Sequence, residues 1–359
     1  MKIAIISTCA AAVPPRAYGG IELFVAVLAR ELTVLGHAVT VYATGDSHPS
    51  ARLRYIFPSP IWPPDYSRER DHAAFAWRQI AREGADIVHV NLPDALFDSP
   101  PHARVIVTLH HPYDPKLASI YARHPHAQLV AISHDQARAY EDVNHVRVIH
   151  HGLDPAAYPL GAGDGGYVAF LGRIGPEKAP HLAIDAARRA RAPLVIAGPH
   201  WSGRAYYDDY FAGEMAPRLG ACEGGVLWRG ELDHAAKVAM LQHAQALLMP
   251  SSWSEPFGLV MIEAMLTGTP VIAYRSGSAP EIVDAGVTGM IVNDAGEMAD
   301  AIPHARRFDR ARCRAQAVAR FSASAMASRY AELYEIVNAA PASRPSPAAR
   351  HRVGSRLAR

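Results

Sequence analysis

The stretch Glu255-Pro-Phe-Gly-Leu-Val-Met-Ile-Glu263 joins a turn to a helix. Pro256 and Gly258 interrupt any preceding element, and the apolar residues that follow are helix formers. The backbone N–H groups that begin such a helix lack partners and carry a partial positive charge, which suits a phosphate. The two glutamates would accept hydrogen bonds from hydroxyl groups on either side of it. The stretch therefore predicts a site for a nucleotide sugar, in which phosphates lie between hydroxylated groups.

The same stretch resembles the signature of the retaining family-4 glycosyltransferases (glycosyl transferases group 1), whose Glu-x7-Glu spacing begins with Glu-Pro-Phe-Gly. The resemblance covers about the first 338 residues. It implies the fold called GT-B, in which two Rossmann-like domains face a central cleft. It also implies transfer of a sugar from a nucleotide diphosphate sugar to a hydroxyl acceptor, with retention at the anomeric carbon. Two surface glutamates beside a buried helix are the alternative interpretation of the spacing alone.

The composition is that of a soluble protein. Half of the 359 residues are hydrophobic, 19% are charged and the formal net charge is +2, so we expect no nucleic-acid partner. Cys9, Cys222 and Cys313 are too scattered for a disulfide framework. The first residues predict a strand and not a signal peptide, and no segment is apolar enough to span a membrane. We therefore expect a cytoplasmic protein.

Short apolar runs alternate with longer amphipathic runs along the chain. The predicted strands are Lys2–Thr8, Ala38–Ala43, Asp86–Val90, Arg104–Leu109, Gln128–Ile132, Tyr167–Leu171, Pro193–Ala197, Val226–Arg229, Ala246–Met249 and Pro270–Tyr274. The predicted helices include Gly20–Leu35, Ser67–Glu83 and Ala325–Val337. Continuous Val- and Ile-rich strands are typical of parallel sheets covered by helices on both faces. The pattern predicts an α/β protein with two doubly wound halves, whose ligands lie beyond the carboxyl ends of the strands.

We expect four parts in the chain. Residues 1–155 would form an N-terminal acceptor-side domain, and residues 156–322 a C-terminal domain that binds the nucleotide sugar. By the resemblance, a terminal helix over residues 323–338 crosses back to the N-terminal domain. Residues 339–359 carry five arginines and no acidic residue, and they predict a disordered basic tail. Weak peripheral contact with a membrane is the less favoured alternative for this tail.

The segment Gly172-Arg173-Ile-Gly-Pro-Glu-Lys178 follows the first strand of the second half. Pro176 suits the first turn of a helix, so we expect Lys178 in that turn. A cation there opposes the helix dipole, whereas an anion held jointly by Arg173 and Lys178 accounts for both residues. By the resemblance, this pair stabilises the departing diphosphate; a solvated pair is the alternative. Ala179 stands where the family has a glycine, and we expect little effect.

Two features of the first half point to the same cleft. Gly19 and Gly20 precede a helix, and the resemblance implies that they touch the donor diphosphate, although a plain turn would also use them. A functional role for Glu22 in the first turn stays open, although the helix dipole adequately explains an acid there. His110 ends a strand and therefore faces the cleft, and the resemblance implies a hydrogen bond to a donor sugar hydroxyl. A structural histidine is the alternative.

Two further segments resemble donor contacts of the family. Gly277-Ser-Ala-Pro-Glu281 resembles its Gly-Gly-x-Pro-Glu turn near the donor, with Ser278 in place of the second glycine. Arg229 and Gly230 lie where the backbone of family members meets the nucleotide base. The nucleotide base, the donor sugar, the acceptor and the oligomeric state remain open.

These interpretations give a set of site residues. The predicted catalytic residues are His110, Arg173, Lys178 and Glu255. The predicted donor-binding residues are Gly19, Gly20, Arg229, Phe257, Gly258, Leu259, Glu263 and Glu281. By the resemblance, Glu255 holds hydroxyls of the donor sugar and Glu263 holds the ribose.

The absence of metal-binding motifs also bears on function. The chain has no Asp-x-Asp, His-Glu-x-x-His or Cys-x-x-Cys motif, so we expect no metal and no cofactor besides the substrate nucleotide sugar. A Gly-x-Gly-x-x-Gly pattern from Gly161 to Gly166 precedes a strand instead of following one, which argues against a nicotinamide dehydrogenase. Two alternative functions stay open: a sugar-nucleotide epimerase of the same architecture and a non-catalytic protein that binds nucleotide sugars.

Overall fold

The computed structural model describes residues 1–143, 146–220, 225–251 and 253–340. The predicted tail from residue 341 onward and Cys222 lie outside these ranges. Among the described residues, no helix is long and apolar enough to cross a membrane. Two separate parallel sheets account for the strands, one in each half of the chain.

The N-terminal sheet has seven parallel strands in the order β3-β2-β1-β4-β5-β6-β7. Its strands are β1 (Lys2–Ile6), β2 (Ala38–Tyr42), β3 (Arg52–Arg54), β4 (Ile87–Val90), β5 (Val105–Thr108), β6 (Ala127–Ala131) and β7 (Arg147–Val148). Its helices are α1 (Gly20–Val34), α2 (Tyr66–Glu83), α3 (Pro115–Ala122) and α4 (His134–Ala139). A short 3₁₀ helix covers Pro93–Leu96. Strands β4 and β5 are buried along their whole length, because helices cover both faces of the sheet.

The C-terminal sheet has six parallel strands in the order β10-β9-β8-β11-β12-β13. Its strands are β8 (Val168–Leu171), β9 (Leu194–Ala197), β10 (Val226–Trp228), β11 (Leu247–Met249), β12 (Val271–Tyr274) and β13 (Gly289–Val292). The helices are α5 (Pro180–Arg189), α6 (Ala205–Tyr210), α7 (Ala216–Gly220), α8 (His234–His243), α9 (Leu259–Leu266), α10 (Ala279–Ile282), α11 (Ala295–Ala301), α12 (Arg310–Phe321) and α13 (Ala323–Ala339). A π-helical turn over Phe211–Met215 and 3₁₀ helices over Pro155–Ala157 and Ile302–Arg307 complete the set.

The predicted fold class is confirmed, because both halves are parallel α/β units of the Rossmann type. Every predicted strand occurs, within two residues of its predicted ends. Three edge strands were not predicted: β3, β7 and β13. The first two are only three and two residues long and contain arginine, so they lack the apolar run that marks a buried strand.

The chain passes between the two halves at two points that lie side by side. The N–H of Leu153 donates to the Phe321 carbonyl at 2.9 Å, and the N–H of Ala323 donates to the Leu153 carbonyl at 2.8 Å. A side chain at Gly152 would lie 2.4 Å from the carbonyl oxygen of Ser322, so the close approach of the two segments requires glycine there. The two crossings therefore form one connection between the halves.

Helix α13 follows the second crossing and packs on α1 and β4 of the N-terminal half. Tyr334 lies 2.7 Å from His89 Nδ1, and Tyr330 lies 2.8 Å from the Thr108 hydroxyl. Thr108 in turn lies 2.7 Å from His89 Nε2, which closes a buried network between the helix and the sheet. Because every member is hydrogen-bonded, the network fixes the position of α13 instead of leaving polar groups unsatisfied.

Candidate active site

A cleft of about 1430 Å³ lies between the two halves. Its lining includes residues that follow β1, β4 and β5 on one side and β8, β9 and β11 on the other. The carboxyl ends of parallel strands meet there, as expected for doubly wound sheets. Most of the predicted site residues line this cleft: Gly19, Gly20, His110, Arg173, Lys178, Glu255, Phe257, Gly258, Leu259 and Glu263.

The N-terminal ends of two helices face each other across the cleft. Gly20 begins α1, and a side chain added at Gly20 would lie 3.4 Å from Leu259, which begins α9. Gly258 caps α9 with φ of 77°, a left-handed conformation that favours glycine. The N-cap residues, Gly19 and Gly258, are glycines without a side chain to bind the first N–H groups, an arrangement that suits an anion in the cleft.

Arg173 and Lys178 lie on the C-terminal wall of the cleft. The Arg173 guanidinium lies 4.1 Å from the Trp201 ring centre and donates from Nε to Glu177 at 2.7 Å. The prediction that Lys178 lies in the first turn of a helix was wrong, because α5 begins at Pro180. Ala179 adopts a left-handed conformation with φ of 50°, which ends the preceding turn. Ala179 therefore carries backbone strain that the glycine usual in the family would avoid, an effect larger than expected.

The two glutamates of the Glu-x7-Glu stretch have matching surroundings. One oxygen of Glu255, Oε2, accepts from Lys178 and from the Trp253 indole at 3.0 Å. One oxygen of Glu263, Oε1, likewise accepts from Lys237 and from the Tyr158 hydroxyl. Each carboxylate is thus held through one oxygen by a lysine and by an aromatic side chain that donates a hydrogen bond. No described residue forms a hydrogen bond with the other oxygen, which is left for a ligand.

A neighbouring turn supports the loop that carries Glu255. The Ser278 hydroxyl donates to the Phe257 carbonyl at 2.8 Å, and the Ser278 N–H donates to the Glu255 carbonyl at 3.0 Å. The Ser276 hydroxyl donates to the Trp253 carbonyl at 2.7 Å. A side chain at Gly277 would lie 2.3 Å from the Glu255 nitrogen, so only glycine fits there. Ser278, unusual for the family, thus adds a hydrogen bond to the loop.

His110 lies in a cluster of uncharged histidines. Its Nε2 is 2.9 Å from Asn91 Oδ1, and its ring stacks on His151 with centres 5.6 Å apart. Burial lowers the pKa of His110 well below its ordinary value and that of His151 to about 3, so both rings are neutral near pH 7. The Asn91 contact fixes the orientation of the His110 ring. Because the ring is neutral, it is suited to hydrogen bonding and not to compensating a negative charge.

Two predicted donor contacts, Arg229 and Glu281, do not line the cleft. Arg229 follows β10 and its side chain is exposed. Glu281 instead accepts from the N–H groups of His134, at 2.9 and 3.0 Å, and of Asp135, at 3.4 Å. His150 Nε2 lies 2.5 Å from its Oε1. Glu281 thus belongs to the contact between the two halves, because its turn places it beside the start of α4.

The His134, His150 and Glu281 side chains offer ligand atoms within 4.8 Å of one another. Both Glu281 oxygens already accept backbone N–H groups, and His150 pairs with one of them. These hydrogen bonds explain the cluster as a contact between the halves, without a metal ion.

Several cleft residues were not predicted. Lys237 of the cleft and the buried Tyr158 behind it bind Glu263 from 26 and 105 residues away, respectively, and neither lies in a recognisable motif. Trp201 lies in the loop after β9, where no pattern marks it. Glu22 was attributed to the helix dipole, but it is only 5% exposed and binds the Thr8 hydroxyl. Glu22 lines the cleft, and its place three residues after Gly19 was the sequence feature that could have marked it as a site residue.

Known proteins resemble both halves of the chain. Residues 18–157 match the family described as Glycosyltransferase Family 4, and residues 160–307 match Glycosyl transferases group 1. A D-inositol 3-phosphate glycosyltransferase of Mycobacterium tuberculosis is 34% identical over 222 residues. That alignment covers 55% of this chain and 45% of the relative, so the chain spans less than half the length of this curated relative.

Solved structures share the architecture over nearly the whole chain. Sucrose-phosphate synthase from Thermosynechococcus elongatus is 20% identical, with a TM-score of 0.78 over 95% of this chain and 100% of its own. AviGT4, a glycosyltransferase involved in avilamycin A biosynthesis, is 24% identical, with a TM-score of 0.74 over 95% and 99%. Anabaena HepE in complex with UDP and glucose is 21% identical, with a TM-score of 0.71 over 93% and 99%. At these identities the likeness shows the fold. Together with the two family matches, it shows that this chain belongs to the family-4 glycosyltransferases with the GT-B fold.

Proposed function

We propose that this protein transfers a hexosyl unit from a nucleotide diphosphate sugar to a hydroxyl acceptor, with retention and without a metal ion. The matched pair of glutamates carries the proposal. Glu255 and Glu263 each present one oxygen to the cleft from a carboxylate that a lysine holds in place. Between them, the N–H groups at the start of α9 suit the diphosphate. Anabaena HepE, with the same fold, binds UDP-glucose.

In this proposal the protein supplies positioning and charge stabilisation. The N–H groups at the starts of α1 and α9 hold the phosphates from opposite sides. As the glycosidic bond breaks, Lys178 and Arg173 stabilise the growing charge on the diphosphate. The departing phosphate accepts the proton of the acceptor hydroxyl on the same face of the sugar, which leads to retention. No nucleophilic carboxylate pair at the spacing of retaining glycosidases is invoked.

The neutral state of His110 fits a role beside the donor sugar. A cation near an oxocarbenium-like sugar would destabilise the transition state, whereas a neutral imidazole can hydrogen-bond a hydroxyl. Burial and the neighbouring His151, His111 and His89 lower the pKa of His110 and keep it uncharged. We therefore assign His110 to hydroxyl binding and not to proton transfer.

Incubation with a panel of nucleotide sugars separates this function from the two alternatives. Glycosyl transfer gives free nucleoside diphosphate and a glycosylated product. An epimerase would change the configuration of the sugar, and a binding protein would show saturable binding without turnover. The anomeric configuration of the product, read by NMR, tests retention; an inverted product would refute that part of the proposal.

A further inference from the structure

Charge is divided unevenly between the two walls of the cleft. The C-terminal wall carries both signs: it is lined by the basic residues Arg173, Lys178, Arg204 and Lys237 and by the acidic residues Glu231, Glu255 and Glu263. The acidic residues that line the N-terminal wall are Glu22, Glu69, Asp94 and Asp114. Within the described part of that wall, Lys116 is the single basic lining residue, and it is exposed. The basic residues of the C-terminal wall suit the diphosphate, whereas the predominantly acidic N-terminal wall would repel a second phosphate.

Glu22 is a buried carboxyl in the wall of the cleft. It is 5% exposed, Oε1 accepts from the Thr8 hydroxyl, and the carboxyl also accepts from its own backbone N–H. A helix dipole stabilises an exposed acid, but it does not replace the hydration that a buried carboxylate loses. Burial accordingly raises the pKa of Glu22. A hydroxyl or amino group of a ligand in the cleft would supply a further donor and offset part of this cost.

Glu69 and Asp94 are further carboxyls along this wall whose pKa is raised by burial. Burial, followed by the charges of Asp94 and Glu22, raises the pKa of Glu69 to about 7. Burial also raises the pKa of Asp94, although Arg70 partly opposes that change. A bound ammonium group would stabilise the ionised forms of these carboxyls, whereas a phosphate would add to their repulsion.

Exposed aromatic rings border the same wall. Trp62 is 52% exposed and Tyr66 is 80% exposed, and both line the cleft. Large exposed rings around a cavity mark a binding surface, and their flat faces pack well against the C–H face of a sugar or cyclitol ring. Trp62 lies 5.0 Å from Trp201 of the opposite wall, so this surface is continuous with the donor side.

We propose that the N-terminal wall binds an unphosphorylated polyhydroxylated ring as acceptor, and that it prefers a ring that carries an amino group. The inference rests on the proposed function and names the acceptor class for the same cleft. It separates this protein from relatives named for a phosphorylated acceptor, such as the mycobacterial D-inositol 3-phosphate glycosyltransferase.

The test compares acceptors that differ in one substituent. One series is myo-inositol, its 3-phosphate and an amino-deoxy-inositol; the other is glucose, glucose 6-phosphate and glucosamine. Transfer is followed by mass spectrometry with each nucleotide sugar. Binding is measured by calorimetry on protein saturated with the nucleoside diphosphate that binds most tightly, so that acceptor binding is measured even without turnover.

In at least one series, the rate of transfer or the affinity should be at least tenfold higher for the amino and neutral rings than for the phosphate ester. A tenfold difference in affinity corresponds to about 1.4 kcal/mol. Glu69→Lys should reduce that ratio at least tenfold, because it replaces a carboxyl group with a positive charge. Asp71→Lys is the matched control, since Asp71 is exposed on the same helix and does not line the cleft. It should leave the ratio unchanged. Glu69→Gln, which keeps the shape of the side chain, should have a smaller effect in the same direction.

Equal or better use of the phosphate esters would overturn the inference, and so would an unchanged ratio in correctly folded Glu69→Lys and Glu69→Gln variants. Failure of every ring to bind would also overturn it. The proposed function fails separately, if no nucleotide sugar is turned over with any acceptor. Donor turnover combined with a preference for phosphate esters would leave the function intact and refute only the acceptor class.

Discussion

Replacing Lys178 with methionine tests the proposed stabilisation of the leaving group. Methionine keeps an unbranched side chain of similar length and removes the charge. In the structure the Lys178 ammonium binds Glu255 and lies 5.3 Å from the Trp253 ring centre, so its position in the cleft is fixed. Negative charge on the diphosphate grows as the glycosidic bond breaks, so the lysine contributes more in the transition state than in the bound donor.

The expected loss falls mainly on kcat. Removing one preorganised donor to a developing oxyanion lowers kcat by about 10²- to 10³-fold, equivalent to about 2.7–4 kcal/mol. The substitution also leaves Glu255 with Trp253 as its remaining described side-chain donor, at 3.0 Å. A buried acceptor that loses a partner costs about 1–3 kcal/mol of the free energy of unfolding, so a melting curve must accompany the kinetics. Lys178→Arg should recover only part of kcat, since a planar fork does not reproduce a compact ammonium.

Lys237→Met is the matched control, because Lys237 holds Glu263 as Lys178 holds Glu255. It should weaken nucleotide binding and leave kcat at saturating donor nearly unchanged. The double variant Lys178→Met/Glu255→Gln removes the unpaired charge of Glu255 and should recover stability but not kcat. If Lys178→Met raises KM for the donor at constant kcat, the lysine binds only the ground state and the leaving-group role is wrong.

Four further predictions concern binding, metals, pH and the contact between the halves. Glu263→Ala should weaken binding of the free nucleoside diphosphate by roughly 10- to 150-fold, because ribose hydroxyls lose a charged acceptor; unchanged affinity by calorimetry would refute the role. Activity should survive excess EDTA, and a loss that only Mn²⁺ or Mg²⁺ restores would contradict metal independence. Burial lowers the pKa of His89 and of His151 from the usual 6.5 to about 3, so the unfolded chain takes up protons that the folded chain refuses as pH falls below 6.5. The free energy of unfolding should then drop by about 1.4 kcal/mol per pH unit for each histidine, and a melting temperature that stays constant between pH 7 and 5 would count against this. His150→Ala removes a contact of Glu281 and should lower the melting temperature while leaving nucleotide affinity unchanged; reduced affinity would return Glu281 to the donor site.

The fold and the core of the site were predictable, since both depend on local sequence. Buried parallel strands such as β4 and β5 are continuous apolar runs, and the glycine that caps α9 appears in the stretch itself. The first residue of a helix is harder to predict from the sequence. Pro176 and Pro180 both suit a first helical turn, and the left-handed conformation of Ala179 decides between them. That conformation depends on packing, since Ala179 is buried, and a sequence pattern does not contain it.

The hydrogen-bond partners of the site residues could not be predicted from the sequence, for a related reason. The Glu263 contacts with Lys237 and Tyr158 form only when α9, α8 and the segment after the first crossing are packed together. Glu22 shows the same limit. An acid in a first helical turn is adequately explained when it is exposed, and its burial beside Thr8 appears only in the folded protein.

The turn from Gly277 to Glu281 connects the Glu255 loop to the opposite half of the protein. Its first residues hold the Glu255 loop, through the Ser278 hydrogen bonds and the close contact at Gly277. Its last residue, Glu281, accepts the first N–H groups of α4 in the N-terminal half. The Ser254 hydroxyl, next to Glu255, also donates to Asp135 of α4 at 2.7 Å. A movement of the N-terminal half that changed these contacts would therefore also displace the Glu255 loop.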